Sequence, residues 1–96
     1  MLSQLHDTVV DEIANASLQV DTRRKALEAA KVSLELARET LTLVREQHRV
    51  GTASQLDLLQ AQDALIVSGV DVARARFDLE VAEIELDRSM GEFPPQ

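Results

Sequence analysis

One pattern governs the first half of this chain: apolar residues return after four positions, then three, then four again. They are Val9, Ile13, Ala16, Val20, Leu27, Ala30, Leu34, Ala37, Leu41 and Val44, with Arg23 the polar exception and His48 the closing member. Such a repeat, kept for about five and a half heptads, fits a helix lying along another helix in a coiled-coil-like seam; no strand keeps that period. At about 1.5 Å per residue, a helix from near Leu2 to Arg49 is roughly 70 Å long.

The second half carries the pattern twice. One stripe is Leu58, Ala61, Leu65, Ser68, Val72, Ala75, Leu79, Ala82, Leu86 and Ser89. Its neighbour is Leu56, Leu59, Ile66, Val70, Ala73, Phe77 and Ile84, with gaps at Asp63 and around Glu80. Two stripes on one helix call for neighbours on two sides, more than a lone hairpin supplies. The isolated chain is therefore expected to self-associate, hairpins side by side.

Between the halves, "VGTASQLD" holds a stop and a start. Gly51 suits the left-handed position that ends a helix. Ser54 followed by Asp57 fits an N-cap and its answering carboxylate at the start of the next. Near the end, "MGEFPP" offers Gly91 as a cap, then Pro94 and Pro95, which cannot continue a helix. Gly69, inside the second helix, costs about 1 kcal/mol relative to Ala and is compatible with a close helix approach. Asp21 with Lys25, Glu35 with Arg38, Arg74 with Asp78 and Arg76 with Glu80 stand at helical pair spacing on the outer faces. The expectation is an all-α fold, a long antiparallel coiled-coil-like hairpin without strands. It has a helix over about 2–49, a tip turn at 50–54, a helix over about 55–90 and a tail at 91–96.

Composition bears on function mainly by exclusion. The net charge is −7, and the ten Lys and Arg are scattered, which argues against nucleic acid and against anionic lipid. Apolar residues make up 45% of the chain but only two are aromatic, so Ala, Leu and Val must pack the helices closely. Without cysteine there is no disulfide framework and no reading of the redox compartment. His6 and His48 lie far apart on one helix, so neither metal nor cofactor is expected. There is no phosphate loop and no catalytic constellation in a cleft, so the chain is not expected to be an enzyme. No apolar run spans a bilayer, and "MLSQLHDTVVDE" lacks the basic and apolar regions of a signal peptide. As written, the chain is expected to stay in the cytoplasm where it is made.

The segment "HRVGTASQLDLLQAQDALIVSG", between "LELARETLTLVREQ" and "ARARFDLEVAEIELDRSMG", resembles the TolC family of outer-membrane efflux proteins. The family's Gly-x-x-Ser/Thr-x-x-Asp tip, Leu-Leu-x-Ala-Gln-like return and Leu-x-x-x-x-Gly ending fall on Gly51, Ser54, Asp57, Leu58, Leu59, Ala61, Gln62, Leu86 and Gly91. The resemblance covers nearly the whole chain but only about a quarter of a family member, and looks more like its second repeat than its first.

That resemblance implies a periplasmic tunnel hairpin of an outer-membrane efflux or secretion channel, homotrimeric when complete. It would be a passive conduit reaching the membrane through parts absent from this chain. The tip residues Val50, Gly51, Thr52 and Ser54 would dock the hairpin of a periplasmic adaptor (membrane fusion) protein, and through it an inner-membrane pump. His48 and Asp57 would border the tunnel entrance. The sequence departs from the family pattern at His48, often Tyr, at Ala53, sometimes an Arg that helps to latch the entrance, and at Ser17, commonly aromatic. Two other readings share the heptads: a free-standing oligomerisation module, and the adaptor's own hairpin. Against the latter, no Arg is followed by Leu and Ser at the spacing of adaptor tips.

Overall fold

A computed structural model describes residues 2–91 and the side chains of residues 7–91; the His6 side chain, Phe93 and the stop at Pro94 and Pro95 lie outside them. Helix α1 spans Leu2–Arg49 and helix α2 spans Gln55–Gly91. They fold back on each other as a rod of 73 × 16 × 15 Å, all helix and turn among the described residues. Gly91 is the last residue of α2 rather than a left-handed cap, since Gly51 alone has a positive φ among the described residues.

The 4-3 stripe of α1 is the face that packs. From Val9 to His48 each of its members is buried or half-buried except Arg23, which is exposed. On α2 the stripe from Leu58 to Ser89 does the same at every position. Arg23 shares a groove with Ala82, and Val44 shares one with Ala61. Carried along both helices, this register sets Leu27 level with Leu79, Leu34 with Val72 and Leu41 with Leu65. Between them it sets Ala30 level with Ala75 and Ala37 with Ser68. Layers of large and small side chains thus alternate, and the small ones let the helices approach closely. Arg23 occupies a small layer opposite Ala82 and lines one groove together with Asp78 and Glu85.

The second stripe of α2 faces solvent. Leu56, Leu59, Ile66, Val70, Phe77 and Ile84 are each at least half exposed, Phe77 by 64%. A second stripe on α1, which the sequence reading passed over, is exposed as well: Leu18, Val32, Leu36 and Leu43, running on to Val50 at the tip. By heptad geometry each lies roughly 150° around its helix from the seam, and the two point to opposite flanks of the hairpin.

The surface pairs form in part. Lys25 meets Asp21 at 3.1 Å and Arg38 meets Glu35 at 3.6 Å, but Arg74–Asp78 and Arg76–Glu80 do not close. Asp78 is half-buried, turned toward the groove that holds Arg23. The basic residues are also less scattered than they read, because Arg24, Lys31, Arg38 and Arg45 recur every seven residues along one face. Lys31 and Arg38 there are paired with Glu28 and Glu35 of the same helix. Gly69 sits in open space: a Cβ there would meet nothing within 4 Å, so no close approach within the hairpin explains it.

Candidate functional site

The tip is built by two caps placed back to back. At the end of α1 the Gly51 N–H donates to the His48 carbonyl at 3.1 Å, and the Thr52 N–H donates to the Gln47 carbonyl at 2.8 Å. These are the two bonds of a Schellman ending, and they require the left-handed backbone that Gly51 adopts at φ +85°. The Ala53 N–H at 3.2 Å and the Thr52 hydroxyl at 3.1 Å also donate to the Gln47 carbonyl, tying the whole turn to one oxygen. His48 and Arg49 in the last turn suit the negative end of the helix dipole. Arg49 donates to Glu46 with its Nε at 3.0 Å and with a second guanidinium nitrogen, and so holds the Glu46 carboxyl below its ordinary range.

At the start of α2 the Asp57 N–H donates to Ser54 Oγ at 3.1 Å, and the Ser54 N–H donates to Asp57 Oδ2 at 2.9 Å. This reciprocal capping box satisfies two backbone donors that a helix start leaves open. Ser54, through its backbone N–H first and its hydroxyl second, holds the Asp57 carboxyl below its ordinary range. The negative charge at the N-terminus of α2 also agrees with the helix dipole.

The four residues Val50, Gly51, Thr52 and Ser54 come together as an exposed end, with Val50 57% exposed. No heavy atom from elsewhere in the chain lies within 4 Å of where a Gly51 Cβ would stand, so the backbone there is open to a partner. The two entrance candidates part company. Asp57 lines an open groove of about 390 Å³ above the tip, with Thr40, Gln47, Thr52 and Gln60 among its walls. His48 is half-buried at the end of the seam and does not line that groove. The sequence reading missed Gln47, because it acts through a backbone carbonyl. It missed Thr40 and Gln60 because a groove between helices appears only once their register is known. Among the described residues no group of three or more His, Cys, Asp or Glu could hold a metal ion. Nor is any described helix long and apolar enough to cross a membrane.

Comparison with known proteins agrees with this geometry. The family model for outer membrane efflux proteins matches residues 2–92. The chain belongs to the outer membrane efflux protein family. A curated relative, Nodulation protein T of Rhizobium leguminosarum bv. trifolii, is 35% identical over 66 residues. That match covers 69% of this chain and 14% of the relative, so the hairpin is a small part of the length of such a protein. No solved structure matches it significantly.

Proposed function

We propose that this hairpin is a wall element of a trimeric outer-membrane efflux or secretion channel, and that its tip docks the helical hairpin of a periplasmic adaptor. The observation that carries the reading is the tip itself, a doubly capped and therefore rigid turn that presents open backbone at Gly51. A docking end must hold its shape without a partner, and here two caps fix the backbone from Gln47 to Asp57. Val50, Gly51, Thr52 and Ser54 supply the contact. Asp57 serves the cap and borders the entrance, with its charge kept by Ser54. His48 acts from the seam, as packing next to the entrance. The conduit is passive, with the driving energy supplied by an inner-membrane pump behind the adaptor, and it asks for no catalytic residue. The chain reaches the outer membrane through parts of the channel beyond this hairpin.

Fractionated source cells, probed with an antibody against the chain, test the channel reading. A band several times the mass of the hairpin in the outer-membrane fraction is the expected result. A band of the hairpin's own mass in the soluble fraction would leave the fold and remove the conduit. Docking is tested by a photo-reactive residue in place of Thr52. It should crosslink to an adaptor hairpin in the cell, whereas one at Glu35, far from the tip, should not. Equal crosslinking from both positions would sink the assignment of the tip.

A further inference from the structure

The two broad faces of the hairpin differ in charge. Arg24, Lys31, Arg38 and Arg45 flank the seam of α1 on one side, and Gln19, Ala26, Ser33, Thr40 and Gln47 flank it on the other. On α2 the row Asp57, Asp71, Asp78 and Glu85 lies on that second side. Asp57 shares a groove there with Thr40 and Gln47, and Asp78 and Glu85 share one with Gln19. The opposite row of α2, Gln62, Gly69, Arg76 and Glu83, therefore faces the basic row of α1. The seam pairs Val44 with Ala61 and Arg23 with Ala82, so one step further Arg45 comes level with Gln62 and Arg24 with Glu83. In the same register Arg38 comes level with Gly69, and Lys31 with Arg76.

We infer that the basic face around Gly69 is a docking surface for an acidic helix of another protein, one whose carboxylates recur every heptad. Folding of the hairpin accounts for neither of two features of this face. Lys31 and Arg76 are like charges brought level, which weakens the hairpin slightly. Gly69 gives up about 1 kcal/mol of helix stability relative to Ala, and nothing lies within 4 Å of where its Cβ would stand. A partner helix makes sense of both. The bare backbone at Gly69 lets it lie close, and cations on either side of the groove receive its carboxylates. The row on α1 is straight and exposed, its members about 10.5 Å apart over about 32 Å, the spacing of heptad positions on a facing helix. Arg24, Arg45 and Arg76 have no ion pair among the described residues. Lys31 and Arg38 meet Glu28 and Glu35 of their own helix at 3.5 and 3.6 Å, but these pairs are exposed and therefore weak. The acidic row beside them, Asp21, Glu28 and Glu35, gives way to Thr42 and Arg49, so the positive charge is least compensated from Arg38 toward the tip. The shape of the charge favours a helix over a broad polyanion. A nucleic acid or an anionic membrane meets the repulsion of a chain carrying −7. A helix about 10–12 Å wide covers the basic face alone, and salt with a screening length of about 8 Å hides the acidic face behind it.

The test is a titration of a labelled helical peptide, with Glu at every seventh position over four heptads, by the chain and its variants. Binding is read by fluorescence anisotropy, and circular dichroism confirms that each variant keeps its helix content. The expected result is binding that weakens by about tenfold when Arg38→Glu and Arg45→Glu are combined, since two pairs are then lost and made repulsive. A peptide with Lys in place of each Glu should bind that double variant and not the wild type. Gly69→Gln, which leaves the charge unchanged and raises helix propensity, should weaken binding several-fold by filling the space beside Arg38. Arg88→Glu, on the far side of α2, should leave binding unchanged. Equal binding by Gly69→Gln and wild type would show that no helix lies on this face and overturn the proposal. Equal loss with Arg88→Glu would reduce the effect to net charge and overturn it too. Unstructured polyglutamate that binds as tightly as the peptide, with the same sensitivity to Arg38 and Arg45, would make the face a general anion site instead. Loss of self-association in the double variant, read by sedimentation equilibrium, would assign the face to a second copy of the chain and remove the separate partner. None of these readouts depends on whether the tip docks an adaptor.

Discussion

At the tip, single residues answer for the geometry, and their chemistry makes distinct forecasts. Gly51 holds φ +85°, so Gly51→Ala is strained although nothing crowds its Cβ. The expected loss is about 1–3 kcal/mol in urea unfolding, caused by backbone alone. Ser54→Ala removes the acceptor for the Asp57 N–H and should cost about 1 kcal/mol. Asp57 makes the pH forecast. Its folded pKa is depressed by Ser54, so its contribution is complete above the unfolded carboxyl range and is lost as pH falls through the lower, folded value. Asp57→Asn should therefore be less stable than wild type near neutral pH, with the gap closing as the solution is acidified below about pH 4. A gap that stays constant from neutral to strongly acidic solution would mean that the Asp57 charge does not stabilise the cap.

For the helices, the seam decides stability, and the seam is where the sequence was most legible. Leu41, 4% exposed and level with Leu65, stands in a large layer, so Leu41→Ala should cost about 2–3 kcal/mol, the lower part of the usual range because a two-helix core collapses easily. Gly69→Ala should do the reverse and stabilise by about 1 kcal/mol, since its Cβ would meet nothing and helix propensity alone is gained. Both are read from thermal or urea unfolding. The 4-3 stripes named the packed face of each helix because burial in a hairpin repeats every heptad, and Arg23 was visible as the exception for the same reason. The tip caps were legible because Gly51 and Ser54 are favoured types for their positions and Asp57 supplies the answering carboxylate. What escaped was non-periodic or relational. The outer stripe of α1 is interrupted at Thr22, Lys25, Glu39 and Glu46, which hid it, and the groove at Asp57 exists only once Gln47 and Gln60 are brought level. Arg74 and Arg76 stood at pairing distance from Asp78 and Glu80 along the helix, but spacing cannot tell which way a long side chain turns.

Over the whole molecule the balance is set by shape. A rod 15 to 16 Å across has a line of contact rather than a core, and among the described residues the buried apolar ones are Val20, Leu27, Ala37, Leu41, Ala61, Val72 and Ala82. Three of these are Ala, which removes little surface from water, and no side chain among the described residues is completely enclosed. Meanwhile larger groups such as Phe77, Ile66 and Leu36 remain in solvent on the flanks. More apolar material is offered to neighbours than is buried within the chain, as suits one stave of a larger wall. Unfolding should then be coupled to dissociation, and the melting temperature should rise by a few degrees for each tenfold increase in chain concentration. Scanning calorimetry over a wide range of concentration measures this directly. A sharp transition at one temperature throughout would show that the seam alone sustains the fold. The hairpin would then be a self-sufficient spacer whose flanks are not needed to hold it folded.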